Sequence, residues 1–118
     1  MKILLAISFA FIFSSCHSQT ACADLPEHFS SYSEAVESVQ GAEWDVNESV
    51  NTSKSSWIRS ANYYSCDGVT GYFIFTTDDH TYIHAGMPIE VWNGFKEADS
   101  FGTYYNEYIK GNYQIELE

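Results

Sequence analysis

The chain has 118 residues, and its 16 Asp and Glu against 5 Lys and Arg give a formal net charge of −11. This length favours a single domain, and the acidic balance disfavours nucleic-acid binding because such a surface repels phosphate groups. The sequence has no glycine-rich phosphate loop and no local motif that joins a nucleophile to a base and an orienting acid. We therefore predict a protein that is not an enzyme and that binds no cofactor.

Residues 1–18 are predicted to be a secretory signal. Lys2 precedes an apolar run, Ile3–Phe13, that is shorter than the roughly 20 residues a membrane-spanning helix needs. Small and polar residues follow this run, as expected before a cleavage site. We therefore expect export in a bacterium, either to the periplasm or to a membrane surface.

The cleavage position has three candidates. The string "FSSC", which ends at Cys16, resembles a bacterial lipobox whose cysteine would be lipidated, although Phe13 stands where Leu is usual. An ordinary signal peptidase would instead cut after Ser18 or after Ala23. Contact with a membrane is expected only through a lipid on Cys16.

Two further cysteines indicate how the mature domain is stabilised. Export would place Cys22 and Cys66 in an oxidising compartment, where two cysteines in a small domain suggest one disulfide. Two unpaired buried thiols are the alternative, and cleavage after Ala23 would leave Cys66 alone. The acidic surface of the mature domain favours solubility. A merely solvated surface is the preferred interpretation, and a basic envelope protein is the partner expected in the alternative.

Residues 19–54 are predicted to form an N-terminal extension with a helix over about 31–40. Its apolar stripe at helical spacing consists of Phe29, Tyr32, Val36 and Val39. Ser31 and Glu34 form a capping box, and Gly41 can end the helix. The stretch from Trp44 to Val50 then alternates weakly, which is typical of a short edge strand or an extended segment.

The centre of the chain predicts a three-stranded antiparallel meander over about residues 57–85. The strings "WIRSANYYSC" and "GYFIFTT" are rich in aromatic and branched residues, and glycines lie between them, as in a hairpin. A third strand, "HTYIHA", follows after a turn. Gly86, Met87 and Pro88 are predicted to break the sheet.

Two helices and a last strand are predicted after Pro88, which suits a first helical turn. The first helix has an apolar face of Val91, Trp92, Phe95 and Ala98. Ser100 can cap the second helix, whose stripe is Phe101, Tyr104, Tyr105, Tyr108 and Ile109, and Gly111 ends it. Tyr113, Ile115 and Leu117 alternate as a possible strand.

The predicted fold class is α+β: a small antiparallel three- to four-stranded sheet with two C-terminal helices and one N-terminal helix, all packed on one sheet face.

Short strings across this region resemble a known family. They are "SSWI" at Ser55–Ile58, Tyr63, "FIF" at Phe73–Phe75, Tyr82, "MP" at Met87–Pro88, "VWNGF" at Val91–Phe95, and "ADSFGTYYNEYIKGNY" from Ala98 to Tyr113. Together they resemble the KTSC domain, a short bacterial module found alone and at the C-terminus of some lysyl-tRNA synthetases. We assign residues 55–117 to a KTSC-like domain. The family-motif positions are Ser56, Ile58, Tyr63, Phe75, Tyr82, His84, Pro88, Ala98, Ser100, Gly102, Tyr105 and Asn106.

The resemblance implies a compact module of sheet and helices, and the family has been suggested to bind RNA. Three departures bear on that suggestion. His84 stands where the family has the second tyrosine of a Tyr-x-Tyr pair, and the turn before it is one residue longer. The chain is also acidic and carries an export signal. We therefore predict a small, exported, non-enzymatic interaction or accessory domain of the cell envelope, with nucleic-acid binding as the alternative.

The acids and histidines between Asp78 and His84 are the candidates for a metal site. In a regular strand Asp78, His80, Tyr82 and His84 would share one face, with the two histidines about 13 Å apart, too far to bind one ion. A satisfied or exposed strand face is the preferred interpretation, and we predict no metal.

A second question concerns the aromatic residues, which form either a surface groove for a glycan or peptide or, as we prefer, the core. The residues concerned are Trp57, Tyr63, Tyr64, Trp92, Tyr104, Tyr105 and Tyr108.

Overall fold

Alternating aromatic and branched residues form a four-stranded antiparallel sheet in the computed structural model, which describes residues 20–118. The predicted signal and Cys16 lie outside the described residues. The elements are α1 (Tyr32–Gly41), β1 (Val46–Ser49), β2 (Ser60–Ser65), β3 (Thr70–Thr76), β4 (Thr81–Pro88), α2 (Ile89–Glu97) and α3, an α-helical part (Phe101–Tyr104) followed by a π-helical turn (Tyr105–Ile109). The strands lie in the order β1-β2-β3-β4. The predicted α+β class and the meander are confirmed.

Each face of the sheet has its own core. On one face Phe73 and Phe75 pack against Trp92 of α2, while on the other face Ile74 packs with Val39 of α1. This separation follows from the two-residue period of a strand. The prediction that all helices pack on one face is therefore wrong: α1 covers one face, and α2 and α3 cover the other.

Helix α1 begins at the predicted cap, and of the predicted stripe Phe29 and Val39 are buried and Val36 is half-buried. The Ser31 hydroxyl accepts a hydrogen bond from the Glu34 N–H at 3.0 Å, while the Glu34 carboxylate accepts from the Ser30 N–H at 2.8 Å. In a standard capping box this carboxylate would accept from the N–H of the cap residue Ser31, whereas here it accepts from Ser30, one residue earlier. Ala35 is fully buried, whereas Tyr32, placed on the apolar stripe by its spacing, is 57% exposed.

Strand β4 does not stop at Gly86. It pairs with β3 through Met87 and Pro88, so the prediction that residues 86–88 break the sheet is wrong. The register shifts between Gly71 and Phe73, where β4 contains one extra residue, and Gly86 adopts a φ of +67°. This β-bulge turns Met87 to the sheet face of Phe73, because an inserted residue reverses the alternation of side chains.

The C-terminal helices follow their local signals. Pro88 precedes the first turn of α2, and the Ser100 hydroxyl accepts from the Thr103 N–H at 3.1 Å. The π-helical turn closes with a hydrogen bond from the Lys110 N–H to the Tyr105 carbonyl at 2.9 Å, and Gly111 then adopts a φ of +83°. A glycine after the last turn is favoured because that backbone conformation strains other residues.

The predicted last strand is not a regular strand. Residues 113–118 make two isolated bridges, His84 with Gln114 and Phe29 with Leu117. We call residues 113–118 the C-terminal segment. It begins beside β4 and ends beside Phe29, so it passes along the edge of the sheet.

The N-terminal extension is joined to the β2–β3 connection. The Sγ atoms of Cys22 and Cys66 lie at disulfide-bonding distance, with their Cα atoms 5.8 Å apart. Backbone hydrogen bonds from Cys22 N to Glu43 O and from Glu43 N to Thr20 O hold the start of the described chain beside α1 and β1. Among residues 20–118, no helix combines the length and apolar character needed to cross a membrane.

Candidate functional site

His84 is almost buried between β4, α3 and the C-terminal segment. Its Nδ1 lies 3.2 Å from the Tyr113 carbonyl oxygen, and its Nε2 lies 3.0 Å from the Tyr105 hydroxyl. A carbonyl only accepts, so Nδ1 carries the proton and Nε2 of the neutral ring accepts from Tyr105. Burial lowers the pKa of His84 from its ordinary value of 6.5, despite the opposing hydrogen bond to Tyr113.

Substitution of His84 by Gln is expected to reduce the pH dependence of stability. The folded-state pKa of His84 lies below 6.5, so its contribution is complete above that pH and is lost as the pH falls. Between pH 7.5 and 5.5 the wild type should therefore lose more unfolding free energy than the variant. Urea unfolding of both proteins at several pH values measures this difference. The carboxylates titrate in both proteins, so their contribution to the pH dependence cancels. Equal slopes for both proteins would contradict the assignment.

Aromatic side chains next to His84 reach the surface. Tyr82 stacks on Phe75 with ring centroids 4.8 Å apart, and Trp57 meets Phe75 edge-on at 6.0 Å. Tyr82 and Trp57 are 40% and 37% exposed. The preferred core interpretation thus holds for Tyr63, Tyr64, Trp92 and Tyr105, which are buried, whereas Trp57 and Tyr108 are exposed.

A cleft of about 390 Å³ lies at the outer edge of β4, beside the C-terminal segment. We call it the β4-edge cleft; its lining residues are Tyr32, Thr81, Tyr82, Ile83, His84, Gln114 and Ile115. It combines two exposed tyrosines with apolar and polar groups, which is the usual make-up of a binding site. A wider depression of about 440 Å³, between residues 49–53 and 58–62, contains no aromatic side chain. A larger depression of about 720 Å³ beside Cys22 and Cys66 has one aromatic side chain, Trp44, which is half-buried. The β4-edge cleft, with two exposed tyrosines, is therefore the candidate site.

The charged groups of the described region leave little positive surface. Lys54 donates to the Ala98 carbonyl, Arg59 pairs with Asp78 at 2.8 Å, and Lys96 pairs with Glu48 at 2.8 Å. The Arg59 guanidinium lowers the pKa of the Asp78 carboxyl, and exposure of this pair limits what it adds to stability. Three of the four basic side chains after residue 19 thus already have partners in the fold.

The predicted face of Asp78, His80, Tyr82 and His84 is found in part: the His80 ring lies 5.8 Å from the Tyr82 ring, whereas Asp78 pairs with Arg59. Asp78 and His80 are exposed and precede β4, whereas Tyr82 and His84 lie within the strand on one face. Within the described part of the chain, no three His, Cys, Asp or Glu side chains are placed to share a metal ion.

Most of the family-motif positions build one corner of the fold. The Ser55 hydroxyl accepts from the Ile58 N–H at 2.9 Å, and a Cβ on Gly102 would stand 2.6 Å from the indole nitrogen of Trp57. Ile58, Tyr63 and Phe75 are buried, Ser100 caps α3, and Ala98 accepts from Lys54. The exposed motif positions are Ser56, Tyr82, Ser100 and Asn106. The motif therefore specifies packing more than a surface.

Sequence reasoning missed part of the cleft. Tyr32 was assigned to the core, and Gln114 and Ile115 to a strand, so neither region was linked to β4. The sequence signal that could have indicated the cleft was the position of Tyr32. This bulky residue directly follows the cap Ser31 and is therefore the first residue of α1.

A sheet with a helix on one face, two helices on the other and a tightly packed motif corner defines a small α+β module. The chain belongs to the KTSC domain family, whose model matches residues 54–113, just over half of the chain. No curated protein and no solved structure matches it. The match covers β2 to α3, so α1, β1, Cys22 and the residues after Tyr113 lie outside it.

Proposed function

We propose that this protein is an exported, non-enzymatic interaction domain of the cell envelope that binds a basic partner at the β4-edge cleft. The observation that carries the proposal is the Cys22–Cys66 pair at disulfide-bonding distance. Disulfides persist in oxidising compartments outside the cytosol, and Cys22 follows closely after the apolar N-terminal run. A cleavage that keeps Cys22, either before Cys16 or after Ser18, fits this pairing better than cleavage after Ala23.

A binding role fits the side chains better than catalysis does. Both ring nitrogens of His84 are engaged, and the hydroxyls of Ser55, Ser65 and Ser100 accept hydrogen bonds in turns and caps. These groups serve the fold and would have to break its contacts to act as bases or nucleophiles. The β4-edge cleft, by contrast, offers exposed aromatic surface, which is the kind of surface that dominates binding energy.

The mass of the native protein tests the export proposal. We expect a chain that has lost its first residues, begins before Cys22, and carries two hydrogens fewer than the reduced form because of the disulfide. A lipid on Cys16 would add to that mass, whereas cleavage after Ser18 would remove Cys16. A native protein that begins at Met1 with free thiols would overturn the proposal.

Nucleic-acid binding is the alternative that the family suggests. The observation in its favour is the exposed pair Trp57 and Tyr82, on which unstacked bases could lie. The paired state of Lys54, Arg59 and Lys96 disfavours it, because backbone binding needs free positive charge. In a gel-shift assay with tRNA at low salt we expect no retarded band. A band that disappears with both Trp57→Ala and Tyr82→Ala would instead support this alternative.

A further inference from the structure

The Cys22–Cys66 pair lies near the surface, between two depressions. Both cysteines are half-buried. Both line the depression of about 720 Å³, and both also line a smaller one of about 280 Å³. A thiolate breaks a disulfide by direct attack on one of its sulfur atoms, so access to the bond is the first requirement for its reduction. The two depressions give a reductant two sides from which to approach.

The residues around Cys22 have few other attachments to the domain. We call residues 20–28 the N-terminal strap; none of them is buried. Two backbone hydrogen bonds join the strap to the rest of the described chain, from Cys22 N to Glu43 O at 3.1 Å and from Glu43 N to Thr20 O at 2.9 Å. Leu25 packs partly against the core on the sheet face of α1. The disulfide is therefore the strongest link between the strap and the domain.

The strap separates the two depressions beside Trp44. Trp44 lines both of them, and Tyr72 lines the smaller one. The two rings lie 5.7 Å apart, and the Trp44 Nε1 donates to the Val39 carbonyl at 2.7 Å, so contacts outside the strap hold Trp44 in place. The core itself begins only at Phe29, after the strap. Because Cys22 lines both depressions, release of the strap would join them into one groove and expose more of Trp44.

Acidic side chains surround the disulfide. Glu43 and Asp45 line the larger depression, Glu27 and Asp67 line the smaller one, and no lysine or arginine lines either. Like charges repel, so small anionic thiols would approach this bond slowly, whereas a protein with a positive surface would be attracted. The charge of the surroundings thus favours a basic protein as the reductant.

We propose that the Cys22–Cys66 disulfide is the reaction site of a dithiol protein with a basic surface, which opens the N-terminal strap by reducing the bond. One thiol of the partner loses its proton and attacks a sulfur atom, the S–S bond breaks, and the other cysteine leaves as a thiolate that takes up a proton. The partner's second thiol then loses its proton and attacks the partner sulfur of the mixed disulfide, and the released cysteine is protonated. In total, two electrons and two protons pass to Cys22 and Cys66, and the partner's dithiol becomes a disulfide.

This inference goes beyond the proposed function, from which it takes only the oxidising compartment in which the bond forms. The reduced form is a folded domain with a free strap and an open groove at Trp44. The nine strap residues span up to about 30 Å when extended, so reduction would also lengthen any membrane tether on Cys16.

The first test uses the mature, oxidised protein and synthetic peptides that share a Cys-Gly-Pro-Cys dithiol and are flanked by lysine, serine or glutamate. Each rate of reduction is divided by the rate on neutral hydroxyethyl disulfide, which removes differences in thiol reactivity. At low salt we expect the lysine peptide to be about tenfold faster than the glutamate peptide. Combining Glu43→Gln with Asp45→Asn should shrink this difference. Combining Glu97→Gln with Glu107→Gln, two exposed carboxylates outside both depressions, is the matched control and should not. Equal relative rates for all three peptides would overturn the choice of a basic partner.

Amide hydrogen exchange of the reduced protein tests the opening of the strap. We expect the amides of Cys22 and Glu43 to lose their protection while those of the central strand β3 keep theirs. Tryptophan emission should shift to longer wavelength on reduction of the wild type but not of Trp44→Phe. Loss of protection throughout the domain, or unchanged protection at the strap, would overturn the strap opening. Such a result leaves export intact where the native mass shows signal removal and the disulfide, whereas a native mass without signal removal would overturn the proposed function itself.

Discussion

Replacement of both Cys22 and Cys66 by serine is expected to lower the free energy of unfolding by about 4 kcal/mol. The bond closes a loop with a sequence separation of 44 residues, and in the chain-entropy model it limits the freedom of the unfolded chain. It also ties the N-terminal extension to the β2–β3 connection, so its loss should free the segment before α1. Small domains have total stabilities of about 5–15 kcal/mol, so this change is a large fraction.

Urea unfolding of the oxidised wild type and the double-serine variant measures the effect. Treatment with a reductant provides the control: it should destabilise the wild type by a similar amount and leave the variant unchanged. A midpoint that is the same for oxidised wild type and variant would show that the bond is absent or contributes nothing. A reductant effect on the variant would point to a cause other than this bond.

Substitution of Trp92 by Ala is expected to cost about 3–5 kcal/mol, as for other large buried side chains. The Trp92 side chain is fully buried, stacks on Tyr63 with centroids 5.5 Å apart and lies 5.9 Å from Phe73. Its Nε1 donates to the Glu48 carboxylate at 2.8 Å and so joins α2 to β1. The hydrogen bond from Lys96, followed by this one from Trp92, lowers the pKa of Glu48. The alanine variant would lose both the packing and this link.

Trp92→Phe is the matched control for this prediction. It retains an aromatic ring against Tyr63 but removes the indole N–H, so it should cost less than half as much as Trp92→Ala. Thermal and urea unfolding, with circular dichroism to confirm the fold, measure both variants. A loss below about 1 kcal/mol for Trp92→Ala would be inconsistent with a fully buried core position.

Elements with strong local signals could be predicted well from the sequence. The cap at Ser31, the cap at Ser100 and the turn at Gly111 each depend on a few neighbouring residues, and each is found where expected. Strands β2 and β3 were predictable because their aromatic and branched runs flank a glycine-containing turn. These features are local, so a single sequence contains most of what determines them.

The bulge in β4 could not be predicted in the same way. Gly86 and Pro88 are residue types that usually end a strand, yet β4 continues through them. It continues because Met87 is buried in the core with Trp92 and because the Tyr63 hydroxyl donates to the Met87 carbonyl at 2.7 Å. Burial of Tyr63 raises the pKa of that hydroxyl to about 12, so it remains a donor. Long-range packing thus overrides the local preference of these residues.

The sequence by itself determined the acidic charge, the family, the order of elements and the cysteines able to pair. Only the tertiary structure decided that α1 covers the second sheet face, that Tyr32 is exposed and that His84 lies between Tyr105 and Tyr113. It also decided that the C-terminal segment runs beside β4, with Gln114 opposite His84. The physical reason is that composition and periodicity act between near neighbours, whereas faces, clefts and free edges depend on which distant segments exclude water from each other.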